Sequence, residues 1–217
     1  MIQIVLTALK GGTGVSTLAS GLCQAAAAED LDVLCVDHDD QDLLKYSFGM
    51  VGLSDGGEMR NGNPRIRLVP SSATISGADP ADVMVVDLPK AQMDRAGAVV
   101  DTSDAILLVV PASATGVAQA PSIKRFLAQA DNRFILLNQQ DPRIPLKKTA
   151  AAYLQAEFSD RIIGQVRQDG AIEEALASLE PLSRAAPYSA AWADMRAAFA
   201  SLLSHMNDLP VLVNGAR

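Results

Sequence analysis

Short apolar runs recur along the chain at residues 2–6, 31–36, 66–69, 83–86, 105–110, 134–137 and 162–166, rich in Val, Ile and Leu. Runs of this length that lack strict polar alternation are buried on both faces, as parallel strands in α/β proteins are. Between them, stretches with helical character occupy 18–28, 92–100, 116–130, 146–157, 171–179 and 189–206. Strand alternating with helix predicts an α/β fold: a doubly wound, mostly parallel sheet flanked by helices. Residues 53–64 interrupt the pattern with glycine, proline and polar side chains, which predicts a mobile loop. Trp192, Ala197, Phe199 and Leu202 give the last helix an apolar face, read first as core packing and second as a partner surface. Pro210 and Gly215 break the remainder, so the chain is expected to form a single domain over 1–206 followed by a loose tail, 207–217.

Composition narrows this picture. A length of 217 residues suits one α/β domain with a substantial core. The chain is 49% hydrophobic, yet no segment approaches the ~18 consecutive apolar residues of a membrane span, so direct membrane insertion is not expected. The first strand begins at once, without a charged region or a cleavage site ahead of it, which predicts a cytoplasmic protein. Cys23 and Cys35 fall within a helix and a strand and have no metal-ligand spacing. A net charge of −7 repels polyanions, and direct DNA binding is therefore not expected.

The most informative stretch is Lys10-Gly11-Gly12-Thr13-Gly14-Val15-Ser16-Thr17, between the first strand and an alanine-rich helix. Glycines there let consecutive backbone N–H groups turn towards an anion, and the helix that follows aims its positive end at the same place. Strand, glycine loop and helix together make a phosphate-binding loop. The usual pattern, G-x-x-x-x-G-K-[ST], carries a lysine before the serine or threonine; here that position is Val15, and the lysine stands at the entrance as Lys10. Other strand ends carry polar residues: Asp37-His38-Asp39-Asp40 after the second run, Asp87 in Met84-Val85-Val86-Asp87-Leu88-Pro89-Lys90, and Asn138 after Phe134-Ile135-Leu136-Leu137. Such ends meet in the crevice where α/β folds bind ligands. Taken singly, each also reads as a solvated acidic loop or a strand-end turn.

A lysine at the loop entrance marks the deviant Walker A motif, and the chain resembles the MinD/ParA family of ATPases. The resemblance implies ATP and Mg²⁺ as cofactors and a homodimer with two sandwiched ATP molecules, Lys10 reaching the partner's nucleotide. Gly11, Gly12, Thr13, Gly14, Val15, Ser16 and Thr17 would cradle the phosphates. Asp37 and Asp39 match the first switch, which supports the metal shell and positions water. Ser16, Asp39 and Asp87 would serve Mg²⁺, which prefers oxygen ligands and keeps much of its hydration. Asn138 matches the asparagine that reads adenine, its amide offering both a donor and an acceptor. Arg167 stands where relatives carry a proline as their backbone passes the base. Val15 lacks the charge of the second family lysine. Losing one electrostatic donor to a transferring phosphoryl group costs on the order of 10²–10³ in rate, so turnover is expected to be slow or negligible. Lys90 replaces the glycine or alanine usual after the second switch begins.

Within that family the chain is similar to the cellulose-secretion accessory group, BcsQ. The similarity lies in the missing second lysine, in Asp42-Leu43-Leu44-Lys45-Tyr46-Ser47-Phe48, in Asp87-Leu88-Pro89-Lys90, and in Arg167-Gln168-Asp169-Gly170-Ala171-Ile172-Glu173-Glu174-Ala175 followed by Glu180-Pro181-Leu182. It implies a cytoplasmic subunit recruited to the inner membrane or cell pole by protein subunits of a membrane secretion or synthase complex. Lys10 and Asp39, which that group can replace, are both kept. The pilus-assembly localisation proteins of the TadZ/CpaE type also lack the second lysine, but usually carry a receiver-like domain before the loop. An active patterning ATPase of MinD or ParA type is a further alternative. Against MinD, residues 209–217 hold one basic residue, Arg217, where a surface-binding helix needs several.

Overall fold

A computed structural model describes residues 1–39, 44–49, 63–70, 81–90 and 97–207. The loop expected at 53–64 lies outside the described residues except for Asn63 and Pro64, as do Asp40 to Leu43, residues 92–96 and the tail beyond Asn207.

Seven strands form one parallel sheet in the order β3-β2-β4-β1-β5-β6-β7: β1 Ile2–Thr7, β2 Val33–Asp37, β3 Ile66–Pro70, β4 Val83–Asp87, β5 Ala105–Pro111, β6 Arg133–Gln140 and β7 Ile162–Arg167. Each apolar run of the sequence is one of these strands. Three inner strands, β2, β4 and β5, are buried at every position, and β1 between β4 and β5 is buried from Ile4 onward.

Alternate side chains of the strands enter two separate cores. Ile4, Leu6, Cys35, Val85, Leu107 and Leu136 lie on the face covered by α1 (Val15–Ala28) and α8 (Ala190–Asn207). Val5, Leu34, Val36, Val86, Leu108 and Leu137 lie on the other, under α4 (Ala120–Leu127) and α5 (Pro145–Phe158). The short helices are α2 Gly97–Asp101, α3 Ala114–Ala118, α6 Gly170–Ala177 and α7 Leu182–Ala185. The fold is therefore the doubly wound α/β sheet expected.

Handedness explains where the site lies. From β1 the chain winds through α1 towards β2 on one face. From β5 it winds through α4 and α5 towards β6 and β7 on the other. Right-handed crossovers in opposite directions require opposite faces, and the reversal occurs around β1. The crevice of such a sheet opens at the carboxyl ends of the strands beside that switch point, where residues 10–17 begin.

Several local expectations need correction. Residues 116–130 are two helices, because Pro121 can stand only in a first turn, and α4 restarts behind Gln119. Trp192, Phe199 and Leu202 are buried as core, but Ala197 is exposed, and Ala191 and Ala198 are the alanines of α8 that face inward. His205 packs edge-on against Phe134.

Candidate functional site

The glycine loop leaves β1 and turns straight into α1. Gly12 and Gly14 have φ of 75° and 90°, a left-handed backbone that glycine adopts without a Cβ penalty. Among the described residues a Cβ on Gly11 or Gly12 would meet nothing within 4 Å, so none of their side chains packs against the loop there. Among the described residues no side chain caps α1, and its first turn holds no acidic residue; α4, α5 and α7 also lack a side-chain cap, whereas Ser113 and Asp169 close the starts of α3 and α6. The first N–H groups of a helix have no intrahelical partner. Those of α1 are left for an anion, with the helix dipole behind them.

Two amides hold the loop from behind. Asn138 Nδ2 donates to the Thr13 carbonyl at 2.8 Å, and Gln139 Nε2 donates to the Gly12 carbonyl at 3.3 Å. In a trans peptide the N–H points opposite the C=O, so drawing these carbonyls towards β6 turns the N–H groups of Thr13 and Gly14 the other way. A Cβ on Gly14 would lie 2.4 Å from Asn138 Nδ2, so a side chain there would displace that amide as well as strain the backbone at its positive φ. Gln139 takes a left-handed φ of 57°, unusual for a residue with a side chain, and its carbonyl accepts from Lys147 Nζ at 3.2 Å. Sequence reading missed Gln139; a second amide directly after a strand-end asparagine is the only signal it leaves.

The carboxylates separate into two roles. Register sets Asp37 opposite Asp87 on adjacent strands. Asp37 is wholly buried, accepting from the Asp39 N–H at 2.8 Å and from the Leu44 N–H at 3.3 Å. It holds the backbone of Asp39 and of Leu44. Asp87 is also buried, and burial pushes its carboxyl up to about 7 despite a hydrogen bond from Ser16, with the nearby charges of Asp37 and Asp39 adding to the rise. Among the described residues its Oδ2 has no hydrogen-bond partner. A buried oxygen without a partner, next to a hydroxyl, suits a cation. Among the described residues, no group of three or more His, Cys, Asp and Glu could hold a metal alone. An ion at Asp87 and Ser16 would complete its shell with water and phosphate oxygens, as Mg²⁺ does. His38 lies beside them, its N–H donating to the Asp87 carbonyl at 3.0 Å.

These parts enclose a cavity of about 260 Å³ lined by Lys10, residues 11–17, Asp39, Asp87, Pro89 and Lys90. That volume is of the order of a small ligand pocket. The structure thus brings Lys10, Gly11, Gly12, Thr13, Gly14, Val15, Ser16, Thr17, Asp39 and Asp87 together and adds Lys90, which the sequence marked only as a departure. Asp37 and Asn138 stand behind the wall. Arg167 is not on it: its guanidinium is held by Asp194 at 2.7 and 2.8 Å, at the edge of the sheet.

Comparison with known proteins agrees with this geometry. No curated protein sequence matches the chain significantly. Solved structures with the same fold include the MinC:MinD cell division protein complex of Aquifex aeolicus, with TM-score 0.75, 18% identity, and 94% of this chain and 96% of that one covered. A putative plasmid partition protein of Borrelia burgdorferi bound to AMPPNP gives TM-score 0.71 and 14% identity over 94% and 99% of the two chains. The septum site-determining protein MinD of Pyrococcus horikoshii, complexed with Mg-ADP, gives 0.66 and 15% over 98% of each. Identities this low speak for the fold alone. The sequence profile of the CobQ/CobB/MinD/ParA nucleotide binding domain, however, matches residues 4–182, and the chain belongs to that family.

Proposed function

We propose that the protein binds ATP with Mg²⁺, hydrolyses it slowly or not at all, and in the ATP state forms a homodimer around the nucleotide that helps assemble or localise a bacterial cellulose synthase or secretion complex. The observation that carries the nucleotide part is the cavity at the switch point. There the uncapped start of α1, the open glycine loop and the unpartnered oxygen of Asp87 offer anion and cation sites side by side. Ser16 and Asp87 would hold Mg²⁺, with Asp39 on the same wall. The ion would neutralise phosphate charge and orient the oxygens around it. That a plasmid partition protein of this fold holds AMPPNP and an archaeal MinD holds Mg-ADP supports the assignment by likeness.

Slow turnover follows from Val15, which supplies no donor where the ordinary loop lysine would act. Dimerisation rests on Lys10, exposed at the cavity mouth, and the MinC:MinD complex gives a precedent in this fold for a protein partner. No helix among the described residues is long and apolar enough to cross a membrane, so membrane localisation would come through such a partner. The cellulose reading rests on the likeness to BcsQ in the loop and in Asp87-Leu88-Pro89-Lys90. The pilus-localisation reading shares the loop pattern Gly12-Thr13-Gly14-Val15-Ser16-Thr17 and remains its rival.

Calorimetry with ATP, ADP and GTP, with and without Mg²⁺, tests the first part. Mg²⁺-dependent heat with ATP is expected, together with phosphate release well below one turnover per second. No heat with any nucleotide would leave a nucleotide-free scaffold, and fast release would overturn the role given to Val15. For the partner, a cellulose synthase gene beside this one is expected, and a pilus operon would favour the rival.

A further inference from the structure

Two departures from the ordinary phosphate loop meet at one cavity. Val15 opens α1 where the ordinary lysine would stand, and its side chain packs against the core face shared by α1 and α8. Lys90 lies three residues beyond Asp87. Parallel pairing of Leu6 with Asp87, continued by the Leu88 N–H donating to the Leu6 carbonyl at 2.9 Å, makes the segment after β4 emerge beside the one after β1. The wall that holds the glycine loop therefore also holds Lys90. Lys90 is exposed, and among the described residues no hydrogen bond or ion pair commits its ammonium elsewhere.

The charge balance of the cavity gives this placement a meaning. Its wall carries two carboxylates, Asp39 and Asp87, and two ammonium groups, Lys10 and Lys90. A triphosphate adds several negative charges. If Lys10 serves the nucleotide of the opposite subunit, then without Lys90 the subunit's own phosphates would face backbone N–H groups, loop hydroxyls and the metal, but no side-chain cation of the cavity wall. We propose that Lys90 stands in for the missing loop lysine as the cation that a subunit presents to the terminal phosphate of its own nucleoside triphosphate. The backbone of such a loop cradles the α- and β-phosphates. Lys90 arrives from the neighbouring strand on the side of Asp87, the side left for the terminal phosphate. It thereby favours triphosphate over diphosphate. This inference rests on the ATP-binding reading above.

Calorimetry with Mg-ATP and Mg-ADP on the whole chain tests it with four proteins: the parent, Lys90→Ala, Lys90→Arg and the double variant Val15→Lys with Lys90→Ala. Loss of one charge-assisted contact should weaken ATP binding about tenfold or more in Lys90→Ala, while ADP binding changes less than about threefold. Lys90→Arg should keep ATP affinity within about threefold, since the charge remains. The double variant should recover the preference for ATP, because the cation returns from the other wall. An exposed position makes misfolding of the single variants no obstacle. If Lys90→Ala alters neither nucleotide, or both alike, Lys90 is an ordinary surface lysine and the proposal is overturned. If the parent binds no nucleotide, the ATP reading falls and takes this proposal with it, a result distinct from a parent that binds both.

Discussion

Asp87 is both the best-formed part of the site and its least stable. A buried carboxyl with one unpartnered oxygen, pushed up to about 7, prefers its protonated form in the folded chain. In the unfolded chain an aspartate titrates near 4. The folded state therefore binds more protons between about pH 4 and pH 7, and stability falls as pH rises through that window. The stabilisation is complete below the unfolded value and lost above the folded one. Asp87→Asn removes the cost of burying the charge. In chelator and without nucleotide, the variant should be more stable than the parent at pH 8, by roughly 1–4 kcal/mol, and about equal to it at pH 4. It should also lose Mg²⁺-dependent ATP binding. Thermal melts at the two pH values check the first statement and calorimetry the second; a variant less stable than the parent at pH 8 would mean that Asp87 is held there by contacts stronger than its desolvation. The sequence marked Asp87 because an aspartate closed an apolar strand. Its unpartnered oxygen depends on what three other segments bring beside it, and no local pattern records that. Asn138 illustrates the same limit: its strand-end position was legible, but its bond to the Thr13 carbonyl spans 125 residues.

At the scale of elements all seven strands were legible, because burial on both faces leaves an unbroken apolar run in the inner ones, but their ends were not: β6 runs on to Gln140 and β2 begins only at Val33. Helix ends were less so. Helical spacing reports which face is buried and says little about breaks, so 116–130 read as one helix although Pro121 forces a restart, and the four-residue α7 left no period to read. Contacts between elements were not legible at all, and Asp169 supplies one that can be tested. Its carboxylate accepts from the Ala171 N–H at 3.0 Å, capping α6, and from the Ala191 N–H at 3.1 Å in the first turn of α8. These bonds hold its carboxyl below the usual carboxylate value. One side chain thus ties two helix starts together. Asp169→Ala should lose a cap and a tether, about 1–3 kcal/mol, read as a lower urea midpoint at pH 7. The contribution of a depressed carboxylate is present above its unfolded value and disappears as pH falls through the folded one. Parent and variant should therefore converge in acid, below about pH 4. A gap as large at pH 3 as at pH 7 would show that packing, not the carboxylate, carries the effect.

For the whole molecule, the question is what a face bearing an open phosphate loop does with its exposed lysine. Each chain carries a net charge of −7, which opposes self-association, so a dimer needs specific contacts strong enough to overcome that repulsion. Lys10 is exposed at the entrance of the cavity, and among the described residues it makes no ion pair within its own chain. In a symmetric dimer any contact across the interface occurs twice, so removing Lys10 removes two. At about 1.5–3 kcal/mol for each hydrogen bond to a charged group, Lys10→Ala should raise the dissociation constant of an ATP-dependent dimer at least about a hundredfold. Nucleotide binding by the monomer should change less than about threefold, because the uncapped start of α1 and the Asp87 wall are untouched. Lys90→Ala should give the opposite signature, with the first loss in binding itself. Light scattering over a concentration series, with ATP and with ADP, reads the dimer, and calorimetry on dilute protein reads the monomer. Dimerisation of Lys10→Ala equal to that of the parent would take Lys10 out of the interface, and a parent that stays monomeric with ATP bound would remove the sandwich itself.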